Sequence, residues 1–200
     1  MIIKTNPDEF ENFVIDASNY KGNCEAVYFP ENVEEVVSIV KQANKNQTKV
    51  TIAGNGTGLT GARVPQNGIV IATDKLNKLL EINPTEYYAV IEPAVLLSDF
   101  QKELKQQNLF YPPDPTETNC YIGGTVATNA SGAKTFKYGP TRDYVIGLQI
   151  VLPDGEVIDL ERGKQKVKGY ELSLTTQSGK NISLQIPDYT FPAVKNASGY

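Results

Sequence analysis

Residues 53–65 read AGNGTGLTGARVP, with glycine at 54, 56, 58 and 61. Glycine reaches φ > 0 without strain and lets another molecule approach the backbone closely. Consecutive bare N–H groups form a concavity suited to an anion. The stretch therefore reads as a phosphate cradle, and the fold depends on which kind of phosphate loop it is. Residues 56–61, GTGLTG, spell G-x-G-x-x-G. A Rossmann loop of that spelling must open a helix directly, so that a pyrophosphate sits on the helix N-terminus. Here Pro65 and Asn67-Gly68 follow at once, and then the apolar run IVIAT at 69–73. No helix can start there, and the Rossmann reading fails. The same residues fit G-x-x-x-x-G, but Ala62-Arg63 stands where a P-loop needs Lys-Ser/Thr. A loose surface turn is the plain alternative, yet Thr57 and Thr60 among the glycines, between two strands, are much for a mere turn.

Outward from this loop the chain alternates strand and helix signals. Residues 8–18 predict a first helix and residues 25–29 a strand ended by Pro30. Asn32 is an N-cap with Glu35 in the capping-box position, and Val33, Val36, Val37, Val40 and Ala43 predict an amphipathic helix over 33–46. Strands are expected at 49–53, 69–73 and 87–91. Ser98 and Gln101 suggest a second capping box and a helix over about 99–107, with Phe100 and Leu104 inward. Prolines at 112, 113 and 115 exclude regular structure at 111–118. Residues 144–152 and 156–160 form a hairpin about Pro153-Asp154-Gly155, and two more strands are expected near 170–176 and 181–186. The fold class is α+β, in two layers or two small lobes.

The chain of 200 residues carries a formal charge of −4, which offers no basic field for nucleic acid. No apolar run reaches the roughly 20 residues of a membrane span, and MIIKTNPDEF is not a signal peptide. Cys24 and Cys120 stand far apart in no metal or redox spacing, which reads as two buried reduced thiols and a cytoplasmic protein. The chain has no histidine. That removes the commonest general base and metal ligand, so chemistry must come from a cofactor, from carboxylates, or from residues outside these 200. No metal site is expected.

A second stretch, PPDPTETNCYIGGTVATNASG at 112–132, is rich in small residues. Alone it could be a tightly packed helix start. Paired with the first loop it suggests one extended ligand held from two sides. Together, GNGTGLTGARVP and PPDPTE…IGGTVATNASGAKTFKYGPTRDYVIGLQIVLPDGEVI resemble the FAD-binding, PCMH-type domain of the vanillyl-alcohol-oxidase superfamily, in the branch with D-lactate dehydrogenase and the glycolate oxidase flavoprotein subunit. The resemblance covers about residues 24–160, and KNASGY at 195–200 is similar to the family's K-x-x-x-G-Y.

The resemblance implies a two-lobed fold, with a small βαβ lobe over about 1–92 and a larger mixed-sheet lobe with flanking helices over about 93–200. It implies that the FAD pyrophosphate lies on the backbone of Gly54, Asn55, Gly56, Thr57, Gly58, Leu59, Thr60 and Gly61. Asn55 and Ala62 depart from the glycines common in the family. The second motif maps Pro113, Asp114, Pro115, Thr116, Ile122, Gly123, Gly124, Ala127, Asn129 and Gly132 to the other side of the cofactor. Glu92-Pro93 and Val145 map near the adenine, and Lys137-Tyr138-Gly139 near the flavin ring, although Tyr138 also suits a packed core aromatic. With no histidine and no cysteine at a family attachment point, noncovalent FAD is expected. The implied reaction is oxidation of a 2-hydroxy acid such as D-lactate or glycolate by hydride transfer to FAD, with an acceptor protein or quinone taking the electrons. The family continues into a cap domain that binds the substrate, so this chain reads as an N-terminal fragment, inactive alone, with its base beyond Tyr200. A non-catalytic FAD-binding module and a UDP-sugar-reductase-like flavoenzyme fragment are the alternatives.

Overall fold

The run Ile69-Val70-Ile71-Ala72 is buried at every position, as expected of a strand covered on both faces. In the computed structural model, which describes residues 1–190 and 194, it is the strand around which the first half of the chain is built. Strands β1 (Ile2–Lys4), β2 (Ala26–Phe29), β3 (Val50–Ala53) and β4 (Ile69–Ala72) form one sheet in the order β1-β2-β4-β3. β2 and β3 run parallel to β4, and β1 lies antiparallel along β2. Alternation along the strands divides the core. Ala26, Ile69 and Ile71 meet Ile39 and Ala43 of helix α1 (Val33–Lys45). Val27, Phe29, Val70, Ala72 and Ala53 face Phe10, Phe13 and Val14.

That second cover is not the helix expected over residues 8–18. The segment forms two short 3-10 turns, Pro7–Glu9 and Glu11–Phe13, and an isolated bridge between Ile15 and Lys21. Phe10, Phe13 and Val14 have helical spacing, but the backbone beyond them is spent elsewhere. The Gly22 amide donates to the Val14 carbonyl at 2.8 Å, and the Ala17 amide donates into the glycine loop. Tertiary partners override the local pattern. α1 begins where expected, with Asn32 Oδ1 accepting from the Glu35 amide at 2.9 Å. The reciprocal half of the capping box is displaced: the Glu35 carboxylate accepts from the Glu31 amide and from the Met1 amino group.

The next unit packs a hairpin, β5 (Leu79–Asn83) with β6 (Tyr88–Ile91), on helix α2 (Leu97–Gln106). β5 and β1 were not expected from sequence. Val95, Leu97, Phe100, Leu104, Cys120 and Ile122 form its core. The expected capping box at Ser98 and Gln101 is absent. The helix starts earlier, with Leu96 at the N-cap and no side-chain cap. The Ser98 amide instead donates to the Thr118 carbonyl at 3.1 Å, and Gln101 Nε2 to the Pro113 carbonyl at 3.3 Å. Residues 111–118 are irregular, as the prolines require. Helices α3 (Ile122–Ala127) and α4 (Thr135–Tyr138) follow. The hairpin of β7 (Gly147–Val151) and β8 (Val157–Glu161) turns at Asp154-Gly155. β9 (Val167–Lys168), β10 (Glu171–Thr175) and β11 (Asn181–Gln185) form a last sheet in the order β11-β10-β9. The KNASGY segment lies outside the described residues.

Candidate functional site

β3 and β4 end side by side, with the Thr73 amide donating to the Ala53 carbonyl at 3.0 Å. The glycine loop leaves from the carboxyl end of β3, where parallel sheets place their ligands. Its hydrogen bonding has a regular pattern. The Gly54 carbonyl accepts from Arg63 Nη1 at 2.9 Å. The Gly56 and Gly58 carbonyls share the Ala17 amide, at 3.0 and 3.1 Å. Every peptide bond here is trans, and a trans peptide points its C=O and the following N–H in opposite directions. Three carbonyls turned toward Arg63 and Ala17 therefore turn the amides of Asn55, Thr57 and Leu59 away from them. None of these three amides meets an acceptor among the described residues. The Gly61 amide behaves differently: it donates to Asp16 Oδ2 at 2.7 Å. Positive φ at Gly56 and Gly61, +76° and +73°, permits the two reversals.

Two charged side chains stand behind this loop. Asp16 is 5% exposed, and its Oδ1 accepts from the Ser18 hydroxyl at 2.6 Å and the Ser18 amide at 3.0 Å. The Ser18 hydroxyl, followed by the Gly61 amide, holds the Asp16 carboxyl below the usual carboxylate range against the opposing effect of burial. Arg63 stacks its guanidinium on Phe13, 5.4 Å from the ring centre, and sends Nη2 to the Asn12 carbonyl at 2.9 Å. Burial lowers its pKa, partly offset by Asp74 and Asp16.

The second segment meets the first through Asn55, whose Nδ2 donates to the Asn119 carbonyl at 2.6 Å. Tyr121, the N-cap of α3, lies beside Gly54: a Cβ added there would stand 3.8 Å from its ring. The glycines of the two segments divide by what surrounds them. At Gly123 a Cβ would stand 2.6 Å from Pro93 Cβ, and at Gly132 it would enter the Asp114 carbonyl, so packing within the chain accounts for both. At Gly58 and Gly124 a Cβ would meet nothing within 4 Å. No packing contact among the described residues requires either of them to be bare.

Other expected site residues fall in varied places. Ile122 belongs to the core around Phe100, Pro113 is buried, and Asp114 pairs with Lys134 at 3.2 Å. Pro115 is half-buried, and Thr116, Ala127, Leu59 and Thr60 are exposed. Asn129 is buried at φ +48°, and its Oδ1 accepts from the Arg142 amide at 2.9 Å. Its Nδ2 has no partner among the described residues. Tyr138 stands edge-on to Phe110 with ring centres 5.7 Å apart, on the surface rather than in a core. Sequence reasoning missed Asp16, Ala17, Arg63 and Tyr121. Arg63 and Tyr121 lay inside the two motifs, but Asp16 carried no signal, because the segment around it read as a helix.

Residues 24–161 match the sequence profile of a family described as "FAD binding domain". The chain is 40% identical over 154 residues to a D-lactate dehydrogenase of Anaerostipes hadrus, an overlap of 76% of this chain and 32% of that protein. It is 35% identical over 157 residues to the glycolate oxidase subunit GlcD of Bacillus subtilis, covering 77% and 33% of the two chains. The chain thus spans about a third of the length of these curated relatives. The crystal structure of 6-hydroxy-D-nicotine oxidase from Arthrobacter nicotinovorans superimposes with a TM-score of 0.72 at 20% identity, over 82% of this chain and 36% of that one. At that identity the likeness is one of fold.

Proposed function

Since the chain belongs to the FAD-binding domain family, we propose that it forms the cofactor site of an oxidoreductase acting on small 2-hydroxy acids of the D-lactate or glycolate kind. The observation that carries this reading is the alternation in the glycine loop: carbonyls of 54, 56 and 58 bonded inward, amides of 55, 57 and 59 without an acceptor among the described residues. Three N–H groups turned away from their internal partners can serve the oxygens of a diphosphate, and hydrogen bonds to a charged acceptor are the strong ones. The site therefore fits FAD. The amides of Asn55, Thr57 and Leu59 would hold the diphosphate, Gly58 and Gly124 would leave it room, and Asn55 links the two segments through its bond to the Asn119 carbonyl. The remaining motif residues, from Pro113 to Thr116 and at Ala127 and Asn129, belong to the second wall on the family resemblance.

FAD, when bound, would supply the hydride-accepting chemistry that no amino-acid side chain provides. The chain's own task is to bind and orient. Burial pushes the thiol pKa of both Cys24 and Cys120 up, which keeps them protonated and poor nucleophiles. With no histidine present, this supports noncovalent FAD. The relatives are about three times as long as the aligned part, which supports a separate domain for the hydroxy acid and its base. An acceptor protein or quinone would reoxidise the flavin. Among the described residues no helix is long and apolar enough to cross a membrane, which is compatible with a cytoplasmic enzyme.

The test is reconstitution. Protein mixed with FAD and passed over gel filtration is expected to carry flavin absorbance, and acid precipitation to release all of it. Absence of flavin from the protein peak would remove the proposal. Flavin left on the precipitated chain would contradict noncovalent attachment alone.

A further inference from the structure

We infer that the turn Asp16-Ala17-Ser18, outside both glycine-rich segments and outside the family match at 24–161, is the device that sets the diphosphate cradle, with Asp16 as its positioning residue. The inference rests on the proposed FAD site and names what shapes it.

The turn holds the loop at three points. The Ala17 amide takes the Gly56 and Gly58 carbonyls, at 3.0 and 3.1 Å. The Asp16 carboxylate takes the Gly61 amide at 2.7 Å. Pulling two carbonyls inward turns the Thr57 and Leu59 amides outward, by the planarity of the trans peptide. Pulling the Gly61 amide inward ends the outward series and turns the chain back toward Val64, whose amide donates to the Gly61 carbonyl at 3.0 Å. Asp16 is itself fixed: its other oxygen accepts from the Ser18 hydroxyl and amide, and 5% exposure leaves little water to replace a lost partner. A loop this rich in glycine has large conformational freedom to lose. Without the turn, that loss would fall on the binding step. With it, the loop is ordered before the ligand arrives, which raises affinity for the group the amides recognise. The carboxylate is also necessary as such, since an acceptor-only group is required where three donors converge. In Asp16→Asn the amide nitrogen would confront the Gly61 N–H or the Ser18 donors.

The experiment compares FAD with riboflavin, which has the same ring and no phosphate, in the full chain by flavin fluorescence. The wild type is expected to prefer FAD strongly. Asp16→Asn should weaken FAD at least about tenfold while changing riboflavin less than about twofold. The Ala17 and Gly61 amides should lose protection from hydrogen exchange. Ser18→Ala, which keeps the carboxylate and removes one donor, should shift FAD in the same direction by a smaller factor, and it carries the test if Asp16→Asn does not fold. FAD affinity unchanged in both variants, or FAD and riboflavin weakened by the same factor, would overturn the inference and leave the cofactor reading intact. A wild type that binds no FAD would overturn both.

Discussion

At the scale of single residues, the two kinds of glycine predict opposite phenotypes. Gly58→Val places a branched side chain into space that the fold leaves open. Its melting temperature without FAD should match the wild type. Its FAD affinity should fall by about a hundredfold or more, because two or three hydrogen bonds to a charged group, worth about 1.5–3 kcal/mol each, are lost. Gly123→Ala should do the reverse in order of cause. Its new methyl would collide with Pro93, and overpacking costs about 1–3 kcal/mol, visible as a lower melting temperature before any ligand is added. Equal melting temperatures for these two variants would contradict the division. Tyr111 offers a test by pH. Burial pushes its pKa up to about 12, above the roughly 10 of an unfolded tyrosine. The folded state thus holds its proton longer. The stabilisation from the neutral phenol is complete below about pH 10 and is lost as pH rises toward 12. Ultraviolet titration of the tyrosines should therefore include a late ionisation near 12 that Tyr111→Phe removes.

At the scale of elements, helices α1 and α2 are held in different ways. The Asn32 cap of α1 is local and visible in sequence, and Asn32→Ala should cost about 1 kcal/mol in a denaturant melt. α2 has no side-chain cap and is held by its buried face instead. Phe100, 6% exposed among Val95, Leu97, Leu104 and Ile122, is the larger determinant. Phe100→Ala should cost about 3–5 kcal/mol and weaken the support under α3, whose first residue Ile122 shares that core. If Asn32→Ala proved the more damaging of the two, the reading of α2 as a packing-held helix would be wrong.

At the scale of the whole molecule, binding and turnover should separate. FAD that binds only the folded chain should stabilise it by about 2.7 kcal/mol at a hundredfold excess over Kd, which thermal melts at graded FAD would show. Hydride transfer further requires a donor held at about 3–3.5 Å and a base for its hydroxyl proton. With no histidine in the 200 residues, the FAD-loaded chain is expected to stay oxidised when mixed anaerobically with D-lactate, glycolate or D-2-hydroxyglutarate. Rapid bleaching by any of them would mean that these residues already form a complete active site.

The amino-acid sequence by itself determined the family, the cofactor and most of the element types. The four glycines of 53–65, the proline that stops any helix after them, and the small residues of 122–132 carry information locally, because each acts through its own backbone freedom or size. The strands 26–29 and 69–72 were legible as short continuous apolar runs bounded by turn residues, and helix 33–45 by apolar residues at a period of 3.6. Tertiary structure alone decided three other matters. Phe10, Phe13 and Val14 have the spacing of a helix, but their segment is drawn into 3-10 turns because the Ala17 amide bonds to the distant Gly56 and Gly58 carbonyls and the Val14 carbonyl is taken by the Gly22 amide. Ser98 and Gln101 spell a cap but bond to Thr118 and Pro113 instead. Gly123 and Gly124 look alike in sequence, yet a Cβ at the first would collide with Pro93 and one at the second would meet nothing within 4 Å among the described residues. The direction in which a peptide unit points depends on which donor lies behind it. For the glycine loop those donors are Ala17 and Arg63, brought there by packing.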